Sequence, residues 1–270
     1  MRILYLHQHF TTRDGSSGTR SYEFSRLLLQ RGHQITILAG RFHRSGLTHT
    51  PGKLVDEHQV DGLRVLALNV PYSQNMSYVR RMVAFVWFML LATVVALRQR
   101  KVDVIYATST PLTIAVPAII ASKINRKPFV FEVRDLWPEV PIGLGILKNK
   151  FLVALAHTLE KWAYRSAKHI VALSPGMKEG IVKTGIAPEK VTVIPNACDN
   201  DLFGVPASVG QSFRESHPEI GERPLVVYTG AFGVVNELSY LIRLAERVRV
   251  LDDRIAFLMV GGGSEMERLQ

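Results

Sequence analysis

The chain opens the same kind of unit twice. Near its start the apolar run Ile3-Leu4-Tyr5-Leu6 enters a loop carrying Gly15-Ser16-Ser17-Gly18, then a helical pattern that ends at Arg31-Gly32-His33. Near its end Leu225-Val226-Val227-Tyr228 enters Thr229-Gly230-Ala231-Phe232-Gly233 and a second helical pattern. Strand, glycine turn and helix together aim backbone N–H groups and a helix N-terminus at a phosphate. Gly261-Gly262-Gly263, followed by Ser264 as a helix cap, marks a third entry of this kind. The restart predicts an α/β protein of two Rossmann-like units, the second stopping at Gln270 after two strands.

Between the two starts, apolar runs at about 34–38, 63–68, 103–107, 128–133, 168–173 and 191–194 alternate with helical stretches. Most are continuously apolar, which predicts a parallel sheet covered on both faces. Residues 41–61, with His43, His49 and His58, lack periodicity and predict a loop over the sheet's carboxyl edge, where ligands bind in open α/β sheets. The segment 201–223, rich in Gly, Ser, Pro and charge, reads as a linker between a first domain at 1–200 and the start of a second at 224–270.

Composition narrows the function classes. With 47% apolar residues in 270, the chain is too apolar for disorder. Cys198 is the single cysteine, so there is no intramolecular disulfide or thiolate zinc cluster, and a reducing compartment is expected. No signal-peptide pattern precedes the first strand, consistent with a cytoplasmic location. The net charge of +10 favours anionic partners. Nucleic acid is disfavoured among them, because the basic residues are scattered and no aromatic–basic reader motif occurs.

Met82 to Leu97 (MVAFVWFMLLATVVAL) carries no charge and lies between Arg80-Arg81 and Arg98-Gln99-Arg100-Lys101. It is too short to span a bilayer core, which takes about 20 residues. Two readings remain: a core helix, or a helix seated in the membrane interface with its basic ends on anionic headgroups. The phosphate-type loops are weak singly. Neither first turn is a G-x-G-x-x-G, Leu38-Ala39-Gly40 stands where a dinucleotide site needs an acid, and no G-x-x-x-x-G-K-[ST] loop occurs.

The densest polar cluster is Phe131-Glu132-Val133-Arg134-Asp135-Leu136-Trp137-Pro138-Glu139, where a buried strand empties into a loop. It reads either as an Arg–carboxylate network bracing the loop, or as a substrate-facing acid with a guanidinium for phosphate and an indole for a sugar ring. His7 and His9 approach the same edge. No carboxylate lies within a few residues of them, so no metal is predicted there.

The opening strand and glycine loop, "RGHQITILAG", "FEVRDLWPE", "VALSPGM", "VIPNACDNDLF", "VVYTGAFG" and "LMVGGGSE", in this order, resemble glycosyltransferase family 4 of the GT-B fold. The closest likeness is to bacterial O-antigen and capsule amino-sugar transferases of the N-acetyl-L-fucosamine transferase type. The resemblance implies two Rossmann-like domains, with a nucleotide-sugar donor, a UDP-sugar, held mainly by the second and an acceptor held mainly by the first. It also implies retention of anomeric configuration with no metal or cofactor.

Carried onto this chain, the resemblance assigns Asp135 as the catalytic group and His9, Arg134, Trp137 and Glu139 to the acceptor. Gly15, Gly18, Asn196, Gly230, Gly233, Gly262 and Gly263 go to the donor. A lipid-linked or saccharide acceptor in surface-polysaccharide synthesis places the enzyme on the inner face of the plasma membrane, with Met82–Leu97 as the contact. Ala231 and Asn236 depart from the family's Arg and Lys at the diphosphate, and the family's glutamate pair falls beyond Gln270. The alternatives are a non-catalytic sugar-lipid or membrane-binding fragment and a GT-B nucleotide-sugar 2-epimerase.

Overall fold

The computed structural model describes residues 1–270 apart from 16, 17, 42–44, 71–75, 144, 146, 199 and 270; for 78, 81, 201 and 202 it describes the backbone only. Ser16 and Ser17 of the first glycine loop, and His43, lie outside the described residues. The chain divides into two compact units, Met1–Ala197 and Cys198–Gln270.

The first unit runs β1 (Arg2–His7), α1 (Arg20–Gln30), β2 (Gln34–Gly40), β3 (Val55–Val60), β4 (Leu63–Leu68), α2 (Tyr78–Arg98), β5 (Val104–Thr108), α3 (Ala115–Asn125), β6 (Phe129–Val133), α4 (Glu139–Gly143), α5 (Lys150–Ser166), β7 (His169–Ala172), α6 (Pro175–Lys183) and β8 (Val191–Val193). Its eight-stranded sheet has the order β3-β4-β2-β1-β5-β6-β7-β8 and is parallel throughout except for β3. The continuous apolar runs have their expected cause: each strand is covered twice. Leu4 and Leu6 of β1 belong to the core shared with α2, α3 and α5, whereas Ile3 and Tyr5 belong to the core on the other face, where Tyr22 of α1 is buried.

The expected loop at 41–61 is a correction. Its second half is β3, an antiparallel edge strand paired with β4 in the register Val55↔Leu68 to Val60↔Leu63. The turn is Asp61-Gly62, with φ of 48° and 80°, the left-handed pair that a two-residue hairpin needs. That dipeptide was the available signal, masked by the polar composition of a strand exposed on one side.

The apolar stretch forms the 21-residue helix α2, and it is amphipathic in an unusual sense. Ala84, Phe88, Ala92, Val95 and Ala96 enter the core. The opposite stripe, Val79, Val83, Val86, Trp87, Leu90 and Val94, is also apolar yet exposed, Val83 by 63% and Leu90 by 51%. The core reading therefore holds for one face, and the other is an apolar face left exposed. Among the described residues no helix is long and apolar enough to cross a membrane.

In the second unit, the stretch read as a linker contains α7 (Asn200–Phe203) and α8 (Ala207–Glu215). After it come β9 (Leu225–Ala231), α9 (Ser239–Leu251), β10 (Ala256–Gly262) and α10 (Met266–Leu269), with β9 and β10 pairing in parallel from Leu225↔Ala256 to Ala231↔Gly262.

Candidate active site at the carboxyl edge of the first sheet

Strand order reverses at β1, which has β2 on one side and β5 on the other. Ligands of open α/β sheets bind in the crevice outside the carboxyl ends at such a switch point. The ends of β1, β5, β6 and β8 deliver His7, Thr108, Val133 and Val193 to this edge, so the following residues, His9, Ser109-Thr110, Arg134-Asp135 and Asn196, gather there.

The edge is built on a buried ion pair. Glu132, 1% exposed, accepts from Arg20 Nη2 at 2.9 Å, Tyr106 Oη at 2.9 Å and Thr108 Oγ1 at 2.7 Å. Arg20 also donates to the carbonyls of Ile194 at 2.9 Å and Pro195 at 2.8 Å and to Asn196 Oδ1 at 3.4 Å. One guanidinium thus ties the first turn of α1 to β6 and to the chain leaving β8. The expected Arg–carboxylate brace is real in kind but differs in partner: Glu132 pairs with Arg20, not Arg134. Arg20 was missed because its partner lies 112 residues away.

Arg134 is thereby left to the surface of the site. Its backbone N–H donates to Ser109 Oγ at 3.0 Å, and its Nη1 lies 3.4 Å from His7 Nε2. A guanidinium only donates, so Nε2 accepts and the proton sits on Nδ1, which donates to Ser21 Oγ at 2.6 Å. Both nitrogens of His7 are engaged. Burial first, then Arg134, pushes His7 well below the usual imidazole range, and the same causes bring His9 down to about 4. The site therefore presents neutral imidazoles beside one guanidinium at neutral pH.

These depressed histidines carry a stability signature. The unfolded chain takes up protons near pH 6.5 while folded His9 resists until about 4, so stability is complete above 6.5 and is lost as pH falls towards 4. His9 alone is expected to remove about 2 kcal/mol at pH 4.5. Asp103 and Asp252, held down to about 2 by Arg2 and Arg254, act in a lower window. Urea unfolding of wild type and His9→Gln at pH 7 and 4.5 checks this: the variant should lose less on acidification, and equal losses would contradict it.

Asp135 is exposed and accepts one side-chain hydrogen bond, from Thr110 Oγ1 at 2.9 Å. Trp137 is half-buried and packs against the core. Glu139 belongs to a separate cluster, 4.0 Å from His157 on α5. There, Glu139, His157 and buried Glu160 present ligand atoms within 4.8 Å of one another, the one set of described residues with the chemistry to hold a metal ion. Burial, then Glu139, raises the Glu160 carboxyl.

The glycines divide by cause. The Thr19 side chain makes no capping bond to α1, whose N-terminus begins beside Gly18. A Cβ on Gly18 would meet Arg134 Nη2 at 3.6 Å, so Gly18 and Arg134 share one wall. The Gly15 N–H is already spent on Thr12 O at 3.1 Å. At Gly40, in the place of the dinucleotide acid, a Cβ would come within 2.9 Å of Gln8 O; close packing of the β1 loop excludes any side chain.

In the second unit a Cβ on Gly263 would lie 2.3 Å from Phe232 O, and one on Gly230 2.9 Å from Tyr228 Oη; both glycines answer to local packing. Gly233 and Gly262 have nothing within 4 Å of a Cβ and leave room for a ligand. Asn236 donates to Ala231 O at 2.6 Å and closes the turn after β9, which accounts for an amide there instead of a lysine.

Residues 15–197 match the family described as "Glycosyl transferase 4-like domain". The chain is 25% identical over 272 residues to a phosphatidylinositol N-acetylglucosaminyltransferase subunit of Arabidopsis thaliana, covering all of this chain and 54% of that protein. It therefore spans about half the length of that relative. Among solved structures it resembles Anabaena Alr3699/HepE in complex with UDP and glucose, with a TM-score of 0.61, 17% identity, and 99% of this chain and 63% of that one covered. It also resembles UDP-GlcNAc 2-epimerase from Neisseria meningitidis bound to UDP-GlcNAc, with a TM-score of 0.57, 15% identity and coverage of 97% and 66%. Likeness at these identities establishes the fold, an α/β arrangement of the GT-B type.

Proposed function

Because this chain belongs to the glycosyl transferase 4-like family, we propose that it moves a sugar from a nucleotide-diphosphate donor, a UDP-sugar, to a hydroxyl acceptor held at the carboxyl edge of the first unit. The observation that carries this reading is the meeting of Arg134, Asp135 and two neutral histidines at the switch point of the sheet. Transfer requires an acceptor hydroxyl to be oriented and a leaving diphosphate to be stabilised, and both are tasks of positioning and electrostatics.

In the reaction we envisage, the bond between the anomeric carbon and the donor phosphate breaks as the acceptor oxygen bonds to that carbon on the same face. The hydroxyl proton passes to the departing diphosphate. Asp135 orients the hydroxyl, and Arg134 beside Gly18 offers positive charge. Within the second unit, we assign Gly233 and Gly262 to the donor, since each leaves open space beside its backbone.

We assign an N-acetylaminosugar donor and a lipid-linked acceptor. The name of the Arabidopsis relative, which joins phosphatidylinositol to N-acetylglucosaminyl transfer, supports both. The finer reading is an amino-sugar transferase of bacterial surface-polysaccharide synthesis, lying on the inner leaflet with the exposed stripe of α2 against anionic lipid. Incubation with UDP-GlcNAc, with and without a polyprenyl-diphosphate-linked saccharide, tests the reaction class. Transfer predicts UDP release that depends on acceptor and a product of the donor's anomeric configuration. The 2-epimer formed without acceptor would instead make the chain an epimerase.

A further inference from the structure

At the opposite, amino edge of the first sheet lies a cleft of about 460 Å³, within the size range of small-ligand sites. Arg2, Arg64, Arg98, Arg100 and Lys101 line it, and none of its ten lining residues is acidic. Two of these charges are already matched: Arg2 pairs with Asp103 at 2.8 Å and Arg64 with Glu57 at 2.7 Å. Arg98, Arg100 and Lys101 are exposed and have no ion-pair partner among the described residues. Buried Ile3 and Val102 form part of the cleft wall.

The cleft also continues another feature. Counting from Val94 by one helical turn reaches Arg98, so the exposed apolar stripe of α2 runs directly to the cleft mouth. At 1.5 Å per residue the helix is roughly 31 Å long, and it leads from the carboxyl edge of the sheet to the amino edge. An apolar stripe ending in a concave cluster of unmatched cations has the chemistry of a surface that meets acyl chains along its length and a phosphate at its end.

We infer that the cleft of Arg98, Arg100 and Lys101 seats the phosphate of an anionic lipid headgroup, fixing the amino edge of the sheet to the bilayer while the other end of α2 holds the site edge at the same surface. The inference rests on the reading of α2 as the membrane contact. Bulk attraction of a net +10 chain to anionic lipid would not need these three residues; a seat does.

The test is sedimentation of the whole chain with phosphatidylcholine vesicles doped with phosphatidic acid, at physiological salt. Arg98→Ala/Arg100→Ala/Lys101→Ala should weaken binding by about 10²-fold, the worth of three cations near an anionic surface. The charge-matched control Arg31→Ala/Lys178→Ala/Lys183→Ala should lose much less. Equal losses would reduce the effect to total charge and overturn the seat. Should Val86→Glu/Leu90→Glu abolish binding while the cleft variant binds as wild type does, the membrane reading stands and the cleft inference fails. Loss of inorganic pyrophosphate binding in the cleft variant with vesicle binding intact would assign the cleft to a soluble phosphate instead. A wild-type chain that ignores vesicles overturns the membrane reading and the seat together.

Discussion

Arg20→Ala should lower the melting temperature of the chain by about 10 °C, an effect larger than that of any surface substitution. Its side chain is 7% exposed and that of Glu132 1%, so truncating the arginine strands a carboxylate where water cannot solvate it. Breaking one side of a buried pair costs about 3–5 kcal/mol, and a unit of this size shifts by roughly 2–4 °C per kcal/mol. The hydrogen bonds from Thr108 and Tyr106 remain but bring no positive charge. Lysine is no substitute, since one ammonium cannot serve the carboxylate and the Ile194 and Pro195 carbonyls together. Arg20→Met/Glu132→Leu should recover most of the loss, because removing both charges also removes the desolvation cost. Thermal unfolding followed by circular dichroism reads both variants; a shift under about 2 °C for Arg20→Ala would show that the pair is not the brace described.

Asp135→Asn is expected to do the reverse, sparing the fold and striking turnover. The side chain is exposed and holds one neutral hydrogen bond from Thr110, which an amide oxygen also accepts. Melting should therefore move by no more than other surface changes, within about 0.5 kcal/mol. Misplacing an oriented reactant costs about 10²-fold, so kcat should fall by that factor with the KM for donor little changed. Equal losses of stability and activity would make Asp135 a bracing residue of the Thr110 loop.

Much of this fold was legible because its strands are buried twice. The runs predicted at 34–38, 63–68, 103–107 and 128–133 became β2, β4, β5 and β6 within a residue or two at either end, since a strand covered on both faces leaves a continuous apolar signature. β3 escaped because an edge strand is covered on one side and tolerates His58 and Gln59. α2 was legible as a helix but not as two faces, because the core side and the exposed side are equally apolar and periodicity vanishes when both halves match.

The candidate site was legible as a place more than as a set of contacts. "FEVRDLWPE" stood where a strand empties into a loop, and Arg134, Asp135 and His9 do gather with Ser109 and Thr110 at that edge. The pairing of Glu132 with Arg20, the tautomer of His7 and the separation of Glu139 into the His157–Glu160 cluster all depend on which chain segments fold together. No spacing along the sequence encodes them. Gly40 is the converse case: an absent acid pointed away from dinucleotides, and the close approach of Gln8 O supplies the packing reason.

Sugar transfer, as proposed, takes place over the carboxyl edge of the first sheet, at Arg134 and Asp135. Its most direct measurement is a crystal structure of the chain with a short-chain polyprenyl-diphosphate sugar. The acceptor hydroxyl should lie within hydrogen-bonding reach of Asp135, about 2.6–3.2 Å, with Arg134 and His9 around it. An acceptor bound elsewhere on the unit, with that edge empty at saturating ligand, would contradict it.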